Sequence, residues 1–343
     1  MKARGWFLIA AGAIVLTLAG GGLWLSQRPK AIAYTNPLKG DGGSYADPWL
    51  MKVGKEYYYC GAADGNRLFL KHSEDPTKVL TEPDHDVYTA PLTGDHSNNL
   101  WAPELHYLSG RWYIYYAADD GDNANHRMFV LAGGTDRDDP LAGKFKFAGK
   151  LSTPDDHWAI DGTVLTLHGQ QYFVWSGWAG RTNVAQNLYL AKMKSPTALV
   201  GERRLISAPD QPWERHGEPH VNEAPQILQH SGRTFVIYSA SGSWTDDYCL
   251  GQLELTGKDP LDPAAWQKHT KEPVFSATSQ VFGPGHCGFI KSQSGQDYLV
   301  YHAARKQGSG WDRNIRLQPF DFNQFGMPQF GKPVAPGKQL EFK

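Results

Sequence analysis

Five ionisable residues recur along the chain at nearly even intervals. Asp47, Glu104, Asp161, Glu223 and His286 stand 57, 57, 62 and 63 residues apart, and each opens a short apolar run. Carboxyl groups gathered at close range raise one another's pKa values and weaken a fold. A chain that brings four of them together has a chemical use for them. In a cleft, two carboxyls can divide the work of glycoside hydrolysis. One, kept protonated, donates to the leaving oxygen, and the other, ionised, activates a water or attacks the sugar. A third carboxyl nearby can raise the acid's pKa and hold it in place. Spacing alone does not tell acid from base.

The elements around these residues share one pattern. After each ionisable residue comes a short apolar strand, then a polar turn containing glycine. An aromatic and β-branched return strand follows, as in Tyr57–Cys60, Tyr113–Tyr116, Tyr172–Trp175, Phe235–Tyr238 and Tyr298–Tyr301. That is a β-hairpin by periodicity and turn chemistry. A repeat near 60 residues holds a hairpin plus two further strands, the content of a propeller blade. It exceeds the ~40–50 residues of familiar blade repeats, so long connecting loops are expected. No convincing amphipathic helix interrupts the series. The expected fold is all-β, a five-bladed β-propeller over residues 34–343. A β-sandwich is the alternative, but it leaves the fivefold recurrence unexplained. In a propeller the innermost strands line a central channel, so the five residues are expected at equivalent positions around it.

Composition narrows the partners. The 343 residues carry 34 Lys and Arg against 35 Asp and Glu. A net charge of -1 leaves no basic excess for phosphates, which excludes a nucleic-acid partner. Twelve Trp and 16 Tyr supply flat apolar faces with a polar edge, suited to sugar rings. Residues 1–33 read as an export segment outside the fold. Lys2 and Arg4 precede an uncharged stretch from Trp6 to Leu25, and Arg28 and Lys30 follow. The stretch is long enough to span a bilayer. Gly20, Gly21 and Gly22 weaken it as a helix, and Ala31-Ile32-Ala33 offers a cleavage site. Signal peptide and uncleaved anchor both remain open, and both place the rest of the chain in the periplasm or outside the cell. Contact with a membrane is expected only through residues 6–25. Cys60, Cys249 and Cys287 are far apart and odd in number, so buried free thiols are expected.

Other signatures are absent or weak. There is no G-x-S-x-G elbow and no phosphate-binding P-loop. His216 and His220 read as a loop pair, and the Asp119–Asn123 run as a solvated turn. The stretches Ala46–Pro48, Asn99–Glu104, Trp158–Thr163 and Val221–Gln226 resemble glycoside hydrolase family 43. Ser241–Cys249, Gly283–His286 and Arg313–Phe320 are similar to its α-L-arabinofuranosidase branch. The resemblance spans about residues 34–340. It implies a five-bladed propeller that hydrolyses with inversion. Asp47 then matches the general base, Glu223 the general acid, and Asp161 the carboxylate that orients the acid and adjusts its pKa. His286 matches a pore histidine that in some members lies near calcium, so a structural calcium is an open expectation and no cofactor is required. Glu104 is given no catalytic part.

Trp101, Trp178, Trp244 and Trp311 stand beside strand starts or hairpin ends, where the channel mouth is expected. Trp101 and Trp178 are candidate stacking faces for a sugar, and Asn187 and Arg316 candidate hydroxyl partners. The expected activity is removal of terminal α-L-arabinofuranosyl residues from an arabinose-containing plant polysaccharide such as arabinan or arabinoxylan. The alternatives are a β-xylosidase of the same fold and a non-catalytic carbohydrate-binding propeller.

Overall fold

The computed structural model describes residues 31–40 and 45–343. The export segment expected over residues 6–25 lies outside them. No helix among the described residues is long and apolar enough to cross a membrane. The described residues are all-β, with only three-residue 3-10 turns between their strands. Strand β1 (Ile32–Thr35) comes first, two residues ahead of the boundary expected at Tyr34. Five antiparallel meanders follow. The first comprises β2 (Trp49–Val53), β3 (Glu56–Ala63), β4 (Arg67–Ser73) and β5 (His85–Thr89). The second comprises β6 (Asn98–Leu108), β7 (Arg111–Asp119), β8 (Arg127–Ala132) and β9 (Lys146–Leu151). The third comprises β10 (Ala159–Leu167), β11 (Gln170–Trp178), β12 (Ala185–Ser195) and β13 (Ala198–Ser207). The fourth comprises β14 (His220–His230), β15 (Arg233–Ala240), β16 (Cys249–Leu255) and β17 (Trp266–Lys268). A short parallel pairing of β12 with β14, Ala185 opposite His220 and Gln186 opposite Val221, joins it to the third in one sheet. The fifth comprises β18 (Phe282–Lys291), β19 (Asp297–Ala304), β20 (Arg313–Phe322) and β21 (Pro328–Gln329). Strand β22 (Gln339–Phe342) then returns to pair with β1.

The aromatic return strands are explained by what lies on either side of them. Side chains alternate across a strand, and here both faces are covered. Tyr58 and Cys60 pack into an apolar cluster shared with the second meander, while Tyr57 and Tyr59 pack into one shared with the fifth. Further clusters join the second meander to the third, the third to the fourth and the fourth to the fifth. The first strands touch in the order β2, β6, β10, β14, β18, and β18 meets β2 again. The three cysteines are buried free thiols within these layers.

Four of the five first strands, β6, β10, β14 and β18, carry the same irregularity. Ladder register shifts fall across Ala102-Pro103, Asp161-Gly162, Ala224-Pro225 and His286-Cys287. The leading residue of each pair has a left-handed backbone, with φ of 43°, 56°, 48° and 43°, and Asp47, just before β2, has φ 51°. A bulge with a left-handed residue bends the strand and re-aims side chains. The equivalent ring positions are therefore Asp47, Ala102, Asp161, Ala224 and His286. This corrects the expected ring. Glu104 lies two residues past its bulge position and Glu223 one before, because the inserted residue shifts the pairing of ionisable side chains.

The seam between first and last meanders is tied by polar groups as well. Asn36, only 1% exposed, donates from Nδ2 to the Leu317 carbonyl at 2.8 Å and accepts the Leu317 N–H at 2.9 Å. The Tyr34 hydroxyl reaches the same carbonyl at 3.0 Å, and the Leu38 N–H donates to Ile315 at 2.9 Å. Asn36→Ala removes the acceptor of the Leu317 N–H and one of the two donors to its carbonyl inside a buried seam. It should destabilise the protein by about 2 kcal/mol, read as an earlier thermal or urea transition. An unchanged transition would show that the seam does not depend on Asn36.

Candidate active site

A cavity of about 630 Å³ opens at the ends of the first strands. Asp47, Asp161, Glu223 and His286 line it, together with Arg313 at the start of β20. Trp101, Trp158, Trp244 and Trp311 form aromatic parts of the wall, and Gln186, Asn183 and Ser243 polar ones.

Asp47 sits among basic side chains. Its Oδ1 lies 3.3 Å from His286 Nδ1, 3.4 Å from His302 Nδ1 and 3.5 Å from Arg313 Nη1. His302 Nε2 is 3.2 Å from the same Arg313 nitrogen. The Asp47 backbone N–H donates to His302 Nδ1 at 3.1 Å, so the imidazole is held between the main chain of Asp47 and the Arg313 guanidinium. Burial and the Arg313 charge push His302 down to about 3, and burial lowers His286 as well. Both imidazoles are then neutral at pH 7, and Arg313 is the standing cation beside Asp47 among the described residues. Burial opposes ionisation of Asp47, but His286, Arg313 and His302 outweigh it and hold the carboxyl well below the usual range.

Glu223 has the opposite setting. Burial is the main cause that lifts it, to about 7, and the negative charge of Asp47 adds to this. Two hydroxyls restrain the rise. The Tyr248 O–H donates to Oε1 at 2.9 Å, and the Ser243 hydroxyl on the same cavity wall also favours the charged form. Tyr248 reaches this position because residue 285 is glycine. A Cβ there would lie 2.1 Å from the tyrosine ring. Asp161 is also raised well above the ordinary range, by burial first and then by Glu223 and Asp47, although the Ala224 N–H donates to its Oδ2 at 3.0 Å. Asp161 and Glu223 lose their protons as a coupled pair, with mutual repulsion delaying the second loss. The cavity thus holds one carboxylate kept ionised and a pair that retains a proton near neutrality. Environments that push carboxyl pKa values apart mark acid and base positions.

Several expected contacts lie elsewhere. Trp101 lines the cavity and stacks on His126 at 4.0 Å. Trp178 does not reach it. It is buried behind Trp158, stacked at 4.8 Å and 9°, and Trp158 presents its ring in its place. Asn187 is buried beside the Tyr189 hydroxyl at 3.4 Å, whereas its neighbour Gln186 faces the cavity because adjacent strand residues point opposite ways. Arg316 is 2% exposed and turned to Asn314 Oδ1 at 2.9 Å, so Arg313 is the cavity's arginine. Glu104 is also off the wall, fully engaged by His106 Nε2 at 2.8 Å and by the Gln226 side chain. Sequence reasoning missed Arg313, His302 and Tyr248. Arg313 and Tyr248 stood inside the family-like stretches, but nothing singled them out.

For calcium, the surroundings of His286 are a poor match. That ion takes six to eight oxygen ligands. Here the nearest carboxylate is already held by a guanidinium, and no group of three or more His, Cys, Asp or Glu side chains is arranged to hold a metal ion among the described residues. No step is routed through a metal.

Comparison with known proteins follows the same lines. The family described as Glycosyl hydrolases family 43 matches residues 34–328. An extracellular exo-α-(1→5)-L-arabinofuranosidase of Streptomyces avermitilis is 34% identical over 344 residues, covering 96% of this chain and 69% of that protein. A protein of the same description from Streptomyces chartreusis is 33% identical over 301 residues, covering 86% and 89%. The crystal structure of an α-L-arabinofuranosidase from Lactobacillus brevis matches with a TM-score of 0.80 and 30% identity, covering 89% of this chain and 98% of that one. With a family match across most of its length and relatives above 30% identity, the chain belongs to glycosyl hydrolase family 43.

Proposed function

We propose that the protein is an exo-acting α-L-arabinofuranosidase that hydrolyses with inversion, built as a five-bladed β-propeller with the five meanders as blades. The observation that carries this reading is the opposite electrostatic setting of two carboxyls on one cavity wall, Asp47 held ionised and Glu223 held protonated up to about pH 7. Glu223 donates its proton to the leaving glycosidic oxygen. Asp47 takes a proton from a water that attacks the anomeric carbon from the opposite face. Asp161 keeps the proton on the pair until it is needed. Arg313 and His302 orient the base, and no cofactor enters the chemistry. The two Streptomyces relatives, both described as extracellular exo-arabinofuranosidases, support arabinofuranosyl residues as the substrate and a place outside the cell. The partner is then an arabinose-containing polysaccharide or oligosaccharide. Parallel assays on aryl α-L-arabinofuranoside and aryl β-D-xyloside test the sugar, and preference for the xyloside would overturn it.

Stereochemistry tests the mechanism. Inversion requires room for a water between the carboxyls, about 6.5–9.5 Å, and the first product should be the β-anomer of arabinose by proton NMR. An initial α-anomer would make Asp47 a nucleophile.

Acid catalysis by Glu223 predicts a leaving-group effect. Glu223→Gln should nearly abolish cleavage of arabino-oligosaccharides while sparing much of the rate on glycosides of acidic phenols, which depart without protonation. Equal losses on both would remove Glu223 from the role.

The pH profile follows from the same settings. Activity needs Glu223 protonated, so kcat/KM should fall as pH rises through about 7. Asp161→Asn removes a negative neighbour, which eases ionisation of Glu223, and the alkaline limb should move to lower pH. A limb that stays put would confine Asp161 to holding substrate.

A further inference from the structure

Trp311 combines high exposure with a fixed orientation. It is 65% exposed, yet its indole N–H donates to Ser243 Oγ at 3.1 Å and its ring meets Trp244 edge-on at 6.0 Å and 72°. Its loop joins β19 to β20 and is stiffened by Arg305 with Asp312 at 2.8 Å. The Gly308 N–H donates to Asp246 Oδ1 at 2.9 Å, which ties this loop to the one carrying Ser243 and Trp244. An apolar face of this size, oriented at the rim of a polar cavity, contributes little to the core.

The fourth meander supplies both Glu223 and the Ser243-Trp244 loop. Glu223 must face the leaving oxygen, so the departing sugar lies on this side of the cavity. Ser243 has one proton and two lone pairs. Accepting from Trp311 leaves its own O–H free to turn towards Glu223 on the same cavity wall. Indole and acid are thereby linked through one hydroxyl.

We propose that Trp311, braced on Trp244 and tied through Ser243 to Glu223, is the stacking platform for the sugar on the leaving-group side of the scissile bond. The C–H face of that sugar lies on the exposed indole, an arrangement suited to aromatic side chains. Ser243 is a positioning residue that turns the acid towards the bond above this platform. The proposal rests on the arabinofuranosidase reading.

Steady-state kinetics on α-1,5-linked arabinobiose and on methyl α-L-arabinofuranoside test it. The second substrate has an alkyl leaving group without a sugar to stack. Trp311→Ala should raise KM for arabinobiose by roughly tenfold, the size of a stacking contact, and lower kcat/KM for arabinobiose far more than for the methyl glycoside. Trp311→Phe keeps an apolar ring and should recover most of the loss. Ser243→Ala withdraws a donor from the Glu223 carboxylate, so the alkaline limb of kcat/KM should move to higher pH, a shift that a purely structural serine would not cause. Equal losses on both substrates, no loss on either, or an unmoved limb in Ser243→Ala would overturn the platform and its link. Wild-type protein that cleaves neither arabinofuranoside would instead overturn the activity itself.

Discussion

Charge at the centre of a closed ring of strands must be neutralised by groups within reach, and Arg313 does this for Asp47. Asp47, Asp161 and Glu223 share one cavity, and Asp161 and Glu223 are buried, so their charges are screened poorly. With one guanidinium at 3.5 Å, the ring can keep one carboxylate ionised. The remaining negative charge is relieved by keeping a proton on Asp161 and Glu223. The opposite settings of Asp47 and Glu223 are therefore consequences of a single asymmetry, the side of the cavity from which β20 delivers its arginine. Neutral His302 extends this asymmetry. It is held between Arg313 and the Asp47 backbone N–H, and it lies beside the carboxylate without adding charge that would draw Glu223 into ionising.

The ring depends on backbone as much as on side chains. Left-handed residues in the first strands turn Asp47, Asp161 and His286 to the cavity and aim the Ala224 N–H at Asp161. Two of the five positions are alanine. Their neighbours Glu104 and Gln226 occupy matching places two residues on and bond to each other across the ring. Glu104, a carboxyl expected in the ring, is thus consumed in holding opposite strands together.

Much of the fold is legible in the amino-acid sequence, and so are the three principal carboxyls. Hairpins announce themselves by alternation, glycine turns and aromatic return strands, and recurrence near 60 residues orders them. Asp47, Asp161 and Glu223 stand out because each begins such a hairpin. The register around the ring is not legible, since a bulge adds a residue without a distinctive side chain. Choices between neighbours fail for a related reason. Arg313 and Arg316, Asn187 and Gln186, and Trp178 and Trp158 each offer the right chemical type. Which one faces the cavity depends on strand direction and on where the strand ends, and a one-residue change of register reverses it. Tyr248 is hidden differently. Its contact with Glu223 requires an empty space above Gly285, which is a property of two distant stretches together.

The pairing of β1 with β22 governs the order in which the molecule can be completed. Ile32 lies opposite Phe342 and Thr35 opposite Gln339, contacts between residues about 300 positions apart. Contacts this distant are made late and slowly, because the entropy of closing so large a loop comes before any reward. During synthesis, four inter-meander layers can assemble while the fifth waits for β22 to emerge. Until then Tyr57, Tyr298 and their neighbours lack the cover of Phe342. A nascent chain is consequently open along one line, and its apolar seam is available to chaperones or to other chains for as long as β22 is missing.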